Sequence, residues 1–323
     1  MKKILCTCLV LLLAACCLLA CAQEPETEGD AAIPHIGFVY MNSNGSGLQT
    51  RMYEEAIAYA EQIGAKLTIL DPAGDPTKQI TMVEDLIQQQ VDVLMIWPID
   101  KNAVQQVAKK AFEAGIPVIV NSVLSDEAME EWVTAYAGED QAGMGRALGE
   151  AVVDYFKDSD KEVIKVVEIQ ATQGTLVSQL RNEGFVEAIA ADPRITIIES
   201  HSSDGNRETA TQIMEAYLQK YDDIDVLFSQ GDSFGIGAIN AIRDAGRAGE
   251  IVTTGIGHNL ESLEYVKSGE LTFDIANSPI DLSHLMLDIA MKVYNGETVE
   301  KYNYAPVILA TKDNLSTLTP PTW

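Results

Sequence analysis

An aromatic ring and a carboxamide stand where two apolar runs end: Trp97 after residues 91–96 and Asn121 at the close of residues 118–121. A ring face beside an amide that both donates and accepts suits a small polar molecule such as a sugar. The competing structural reading is that Trp97 only covers a helix start and Asn121 only makes a turn. Arg181 presents a fork of donors that matches two vicinal hydroxyls or a carboxylate, or else pairs with Glu183 or Glu187 on a helix surface. His258 follows a glycine-containing loop at a strand end, and Asp232 reads as a helix N-cap rather than a ligand contact. His35, His201 and His284 are far apart and lack metal-ligand spacing, so no metal and no cofactor is expected. No nucleophile elbow, P-loop or HExxH is present, and no catalytic residue is assigned, so an enzyme is not expected. Gly143-Met144-Gly145 and Gly235-Ile236-Gly237 echo a dinucleotide loop without its full fingerprint, and close packing explains their small residues better.

The elements that must position these groups follow from periodicity. Apolar runs of about four to eight residues, separated by amphipathic segments of helix length, signal parallel strands covered on both faces. Residues 91–121 form one such βαβ unit, and ligands in these sheets sit beyond the carboxyl ends of the strands, where Trp97 and Asn121 fall. Around that unit the pattern predicts strands at 35–40, 66–70 and 132–137, with helices at 48–63, 77–89 and 140–156. From residue 162 the alternation begins again. Strands are expected at 163–169, 195–199, 226–229, 251–255 and 271–275, with helices at 176–190, 207–220, 233–245, 260–267 and 280–294. The fold class is therefore α/β, with two doubly wound parallel-sheet lobes and a cleft between them.

The first residues and the charge bound the setting. Met1-Lys2-Lys3, an apolar run over 4–20 and an acidic stretch make a secretory signal over residues 1–20. Leu18-Leu19-Ala20-Cys21 resembles the lipobox of bacterial lipoproteins, which implies lipidation at Cys21; Leu13-Ala14-Ala15-Cys16 fits the same pattern. Residues 21–33 then serve as a lipidated cysteine and flexible tether. All five cysteines lie in this leader, so the folded part has no disulfide and no thiolate site. With 48 acidic against 22 basic residues the formal net charge is −26, which repels phosphate backbones and anionic lipid. Nucleic acid is excluded as a partner, and the membrane is reached through the lipid anchor only.

The order of segments resembles the type I periplasmic binding proteins of the ribose and galactose group. The marks are Gly37-Phe38-Val39, Leu70-Asp71-Pro72, Trp97-Pro98-Ile99-Asp100, Gly115-Ile116-Pro117, Arg181-Asn182-Glu183-Gly184-Phe185, Phe228-Ser229-Gln230-Gly231-Asp232 and Tyr304-Ala305-Pro306-Val307. The resemblance covers about residues 34–315. It implies an extracytoplasmic substrate-binding lipoprotein of an ABC importer that delivers a sugar or similar small polar solute to a permease and closes by hinge motion. A sensory protein presenting its ligand to a membrane receptor uses the same fold. The chain is expected to cross between lobes three times, near Ala137-Gly138, Asn277-Ser278 and Ala305-Pro306. Residues 34–137 plus 278–305 would then make the N-terminal lobe, and 138–277 plus 306–323 the C-terminal lobe. The resemblance also assigns ligand contacts to Asn44, Trp97, Asn121, Ser122, Arg181, Gln230, Asp232, His258 and Asn277. Several positions depart from the family pattern. Gly47, Leu48 and Gly205 stand where aromatics are common, and Asn121-Ser122 replaces a frequent Asp-Arg pair. An ordinary ribose pocket is not expected.

Overall fold

The computed structural model describes residues 32–121 and 127–323. The expected signal segment, Cys21 and Ser122 lie outside the described residues. The first sheet contains β1 (His35–Val39), β2 (Lys66–Leu70), β3 (Val93–Ile96), β4 (Val118–Asn121), β5 (Ala135–Gly138) and β11 (Tyr302–Tyr304). They lie in the order β11-β5-β4-β3-β1-β2, parallel throughout. The second contains β6 (Ile164–Gln170), β7 (Ile195–Ser202), β8 (Val226–Ser229), β9 (Val252–Gly257), β10 (Phe273–Ala276) and β12 (Ile308–Ala310), in the order β12-β10-β9-β8-β6-β7. Only the β12 edge runs antiparallel, against β10. The chain leaves the first sheet after Gly138, returns after Ala276, and passes to the second again between Tyr304 and Ile308.

Period-two alternation sets the layers. In β3, Val93 and Met95 join one core with Ile36 and Phe38, while Leu94 and Ile96 join another with Val39 and Val120. In the second sheet Val167, Ile169 and Leu227 face one core, and Val166, Val226 and Phe228 the other. Each sheet is thus buried on both faces, as continuous apolar strands require. The first sheet is covered by α1 (Gly47–Gln62), α2 (Pro76–Gln88), α3 (Lys101–Glu113), the short α4 (Glu127–Glu130) and α10 (Pro279–Tyr294). Although α10 follows β10 of the second sheet, it returns Leu282, Met286 and Leu287 to the core of β1.

Helix starts carry the side-chain caps that orphaned N–H groups demand. Ser46 caps α1, Asp75 with Pro76 opens α2, and Asp140 caps α5 (Gln141–Phe156) through Gly143 N–H at 2.8 Å. Thr175 does the same for α6 (Leu176–Ile189), Asn206 for α7 (Arg207–Lys220), and Asn259 for α9 (Leu260–Ser268). Asp100 caps α3 and Ser278 caps α10, but α8 (Asp232–Asp244) departs from the sequence expectation: its N-cap is Gly231, which makes no side-chain bond, and Asp232 lies inside the helix with its carboxylate used elsewhere. The strand expected at 132–137 begins only at Ala135. Trp132 lies outside it, under the Lys109 ammonium at 5.4 Å.

The glycines that echoed a nucleotide loop are packing glycines. A Cβ on Gly145 of α5 would lie 2.0 Å from the Arg181 carbonyl oxygen of α6, and one on Gly184 of α6 would lie 2.0 Å from the Ala142 carbonyl oxygen. The two helices therefore touch backbone to backbone, which brings Arg181 to the amino end of α5. Gly237 of α8 meets the Arg207 carbonyl of α7 in the same way. Beneath α6, Phe185 stacks on Phe228 with ring centroids 3.8 Å apart, so the helix carrying Arg181 is seated on the sheet.

Candidate functional site

Arg181 is the centre of the site. Its Nε donates to Gln141 Oε1 at 2.7 Å and its Nη1 to the Gln230 carbonyl at 2.5 Å. Among the described residues no carboxylate forms an ion pair with it. Burial lowers its pKa from the usual guanidinium range, opposed by the charges of Glu139 and Asp232. The result is a cation held in place from behind by neutral acceptors, with donor capacity left over.

Glu139 stands beside it, at the point where the chain leaves the first sheet. Its Oε1 accepts from Asn277 Nδ2 at 2.6 Å and its Oε2 from Gln141 Nε2 at 2.9 Å. Asn277 lies where the chain crosses back. One hydrogen-bonded set, Arg181–Gln141–Glu139–Asn277, thus ties α6 to two of the interlobe crossings.

Of this set Arg181, Glu139 and Asn277 line a cavity of about 570 Å³ together with Ser46, Gly47, Leu48, Arg207, Asp232, Leu260 and Trp323. That volume lies within the roughly 300–1,000 Å³ range of small-molecule sites. Arg207 sits at one wall, donating to the Ser233 carbonyl at 2.6 Å and gripping Glu261 with both terminal nitrogens at 2.9 and 2.7 Å.

Behind the wall lies a buried acid cluster. Asp232 Oδ2 accepts the His258 backbone N–H at 2.6 Å, and His258 Nδ1 lies 2.9 Å from Asp274 Oδ2. Oδ1 of each aspartate is buried without a hydrogen-bond donor. A Cβ on Gly255 would meet these two atoms at 2.5 and 3.3 Å, so both converge on one glycine that only a hydrogen fits. A proton held between the two carboxyls satisfies both oxygens. Burial and Asp274 raise Asp232 well above the ordinary carboxylate range; burial pushes Asp274 up to about 7. The pKa of His258 is lowered by burial, and its backbone sits in the left-handed region at φ 57°.

Of the residues singled out from sequence, Arg181, Asp232 and Asn277 line this cavity, and His258 lines a narrower crevice beside it with Asn277. The others are placed elsewhere. Gln230 is fully buried, accepting from Ala171 N–H and Ser178 Oγ and donating to Glu168, so its amide builds the seat under Arg181. Asn121 turns into the core with Nδ2 3.1 Å from Met286 Sδ. Trp97 packs edge-on against Tyr40 at 5.0 Å and joins the core of the first sheet. Asn44 is exposed and donates to Ser43 Oγ at 3.2 Å. Sequence reasoning missed Glu139, Gln141, Arg207 and Trp323. Glu139 was accessible to the carboxyl-end rule that selected Trp97, since it directly follows β5.

Two sheets with their strand ends facing one cleft, a buried arginine in it and three crossings beneath it define a two-lobed solute-binding protein. Residues 36–298 match the periplasmic binding protein domain, and the chain belongs to that family of solute-binding proteins, which are not enzymes. It is 31% identical over 241 residues to the ribose import binding protein RbsB of Salmonella typhimurium, covering 75% of this chain and 78% of that one. Over 224 residues it is 31% identical to the galactofuranose-binding protein YtfQ of Escherichia coli, covering 68% and 69%. A crystal structure from Mycobacterium smegmatis in complex with β-D-fucofuranose superposes with a TM-score of 0.74 at 28% identity, over 88% of this chain and 93% of that one.

Proposed function

We propose that this protein captures a monosaccharide, with furanoses and pentoses the first candidates, and presents it to the permease of an ABC importer. The observation that carries this reading is the Arg181 fork, backed by neutral acceptors and flanked by Glu139 and Asn277 in one interlobe cavity. A sugar edge offers vicinal hydroxyls that accept from a guanidinium and donate to a carboxylate. The sugars for which similar proteins are named, ribose and galactofuranose, and the fucofuranose bound in the Mycobacterium smegmatis structure support that class. Relatives named for import and ABC transport favour delivery over sensing.

On this reading residues 34–137 plus 278–305 move as one lobe and 138–277 plus 306–323 as the other, closing over the ligand. Glu139 and Asn277, at two of the crossings, couple ligand capture to that closure. The leader places the protein outside the cytoplasm, anchored to the cell membrane through a lipid on Cys21. Labelling with radioactive palmitate, compared with Cys21→Ser, tests the anchor.

The ligand class is tested by thermal shift and titration calorimetry against D-ribose, L-arabinose, D-galactose, myo-inositol, nucleosides and amino acids. At about a hundred times its Kd a ligand that binds only the folded protein adds about 2.7 kcal/mol of stability. Stabilisation by amino acids alone would refute the sugar assignment.

A further inference from the structure

We infer that Trp323 is the aromatic wall of the sugar site and determines its specificity. This rests on the sugar reading above and extends it to a residue far along the chain from the strands whose ends face the cleft. Trp323 lines the same cavity as Arg181, Glu139 and Asn277. Its carbonyl accepts the Leu260 N–H at 2.8 Å, which fixes it to the start of α9. Its side chain reaches across to the start of α1, where a Cβ on Gly47 would touch the indole Cε3 at 3.4 Å and its Cβ at 3.7 Å. The residue is thus held through its backbone at the start of α9, and its ring lies against the start of α1.

Two further observations point to a ligand. The indole Nε1–H is buried without a hydrogen-bond partner, although a buried Trp N–H ordinarily finds one. The polar groups that line the cavity include Arg181, Glu139, Asn277 and Arg207, and Leu48, Phe234, Ile256 and Leu260 add an apolar part beside the indole. A sugar ring has a C–H face and a hydroxyl edge. The indole supplies a flat apolar partner for the first, while the Arg181 set supplies the donors and acceptors for the second. A Cβ at Gly47 would only touch the indole at van der Waals distance, so a methyl fits there, whereas a side chain as long as leucine would crowd the ring.

The test is calorimetry of the purified wild-type chain, Trp323→Phe and Trp323→Ala with whichever of D-ribose, L-arabinose, D-galactose and myo-inositol the wild type binds, with unfolding midpoints as a control for folding. Trp323→Ala is expected to weaken binding by about tenfold to a hundredfold, and Trp323→Phe, which keeps a ring but loses the donor, by less. Gly47→Leu, which leaves Trp323 intact but displaces it, should weaken binding in the same direction. The ligand-induced change in tryptophan emission should vanish in Trp323→Phe, since Trp97 and Trp132 lie outside the cavity. Sugar binding by Trp323→Ala within twofold of wild type, or tighter than wild type, would overturn the assignment while leaving the sugar reading intact. Failure of the wild type to bind any sugar in the panel would overturn both.

Discussion

Replacing Asp274 by asparagine should remove a pH dependence that the buried acid pair imposes. In the unfolded chain an aspartate releases its proton near 3.8, whereas in the folded protein burial holds the Asp274 proton until about pH 7. Between these values the folded state binds the extra proton, so stability falls as pH rises. The slope is about 1.4 kcal/mol per pH unit where the difference is a full proton. Allowing for partial release near pH 7, Asp274 alone should lower stability by about 2 kcal/mol between pH 5 and 7. Asparagine keeps the shape and the acceptor facing His258, and its amide can donate to Asp232, which replaces the shared proton with a permanent one. Urea unfolding at pH 4, 5, 6 and 7 should therefore give the most similar stabilities at pH 4 and a variant that is progressively more stable above it. Curves that stay parallel from pH 5 to 7 would show that no proton is held between these carboxyls, and the account of their two orphaned oxygens would fail.

Other changes should act through the cavity and the helices that frame it. Arg181→Ala should cost about 3–6 kcal/mol of ligand binding if the fork makes two charge-assisted bonds, a loss of more than a hundredfold by calorimetry. Arg181→Lys should recover only part of it, because an ammonium cannot span two hydroxyls at once. Glu139→Gln places an N–H against Asn277 or Gln141, both of which donate to it, and should weaken binding by about 1.5–3 kcal/mol with little change in unfolding midpoint. Gly145→Ala forces α5 from α6 and should destabilise the fold by about 1–3 kcal/mol in urea. Binding should weaken with it, since Arg181 rides on the displaced helix.

The layered architecture was legible because each core strand is buried on both faces, so runs such as Val93–Ile96 stand out without any alternation to decode. What escaped were the elements whose identity comes from pairing rather than composition. Tyr302–Tyr304 and Ile308–Ala310 are three-residue strands that exist because β5 and β10 offer them edges. The expected strand at 132–137 started too early because Trp132 is apolar but packs under Lys109 rather than entering the sheet. The site divides along the same line. Arg181, Asp232 and Asn277 sat at positions the family pattern marks. Asn121 and Gln230 sat there too, yet one faces Met286 and the other the floor beneath Arg181. An amide's side of a strand end depends on what α10 or α6 brings to it from far along the chain, and no local spacing records that. Trp323 was invisible for the same reason.

The late return of α10 and β11 also governs when the protein can become a protein. Ile36, Phe38 and Met95 lie under Leu282 and Met286, and β5 gains its outer neighbour only from residues 302–304. A ribosome that has made the first half of the chain has therefore made a sheet with an open apolar face and an unpaired edge. Such long-range closure slows folding and lengthens the life of an aggregation-prone intermediate. For a chain bound for export that delay is useful, because a polypeptide that cannot finish its first lobe until nearly all of it has been synthesised stays threadable through a translocation channel.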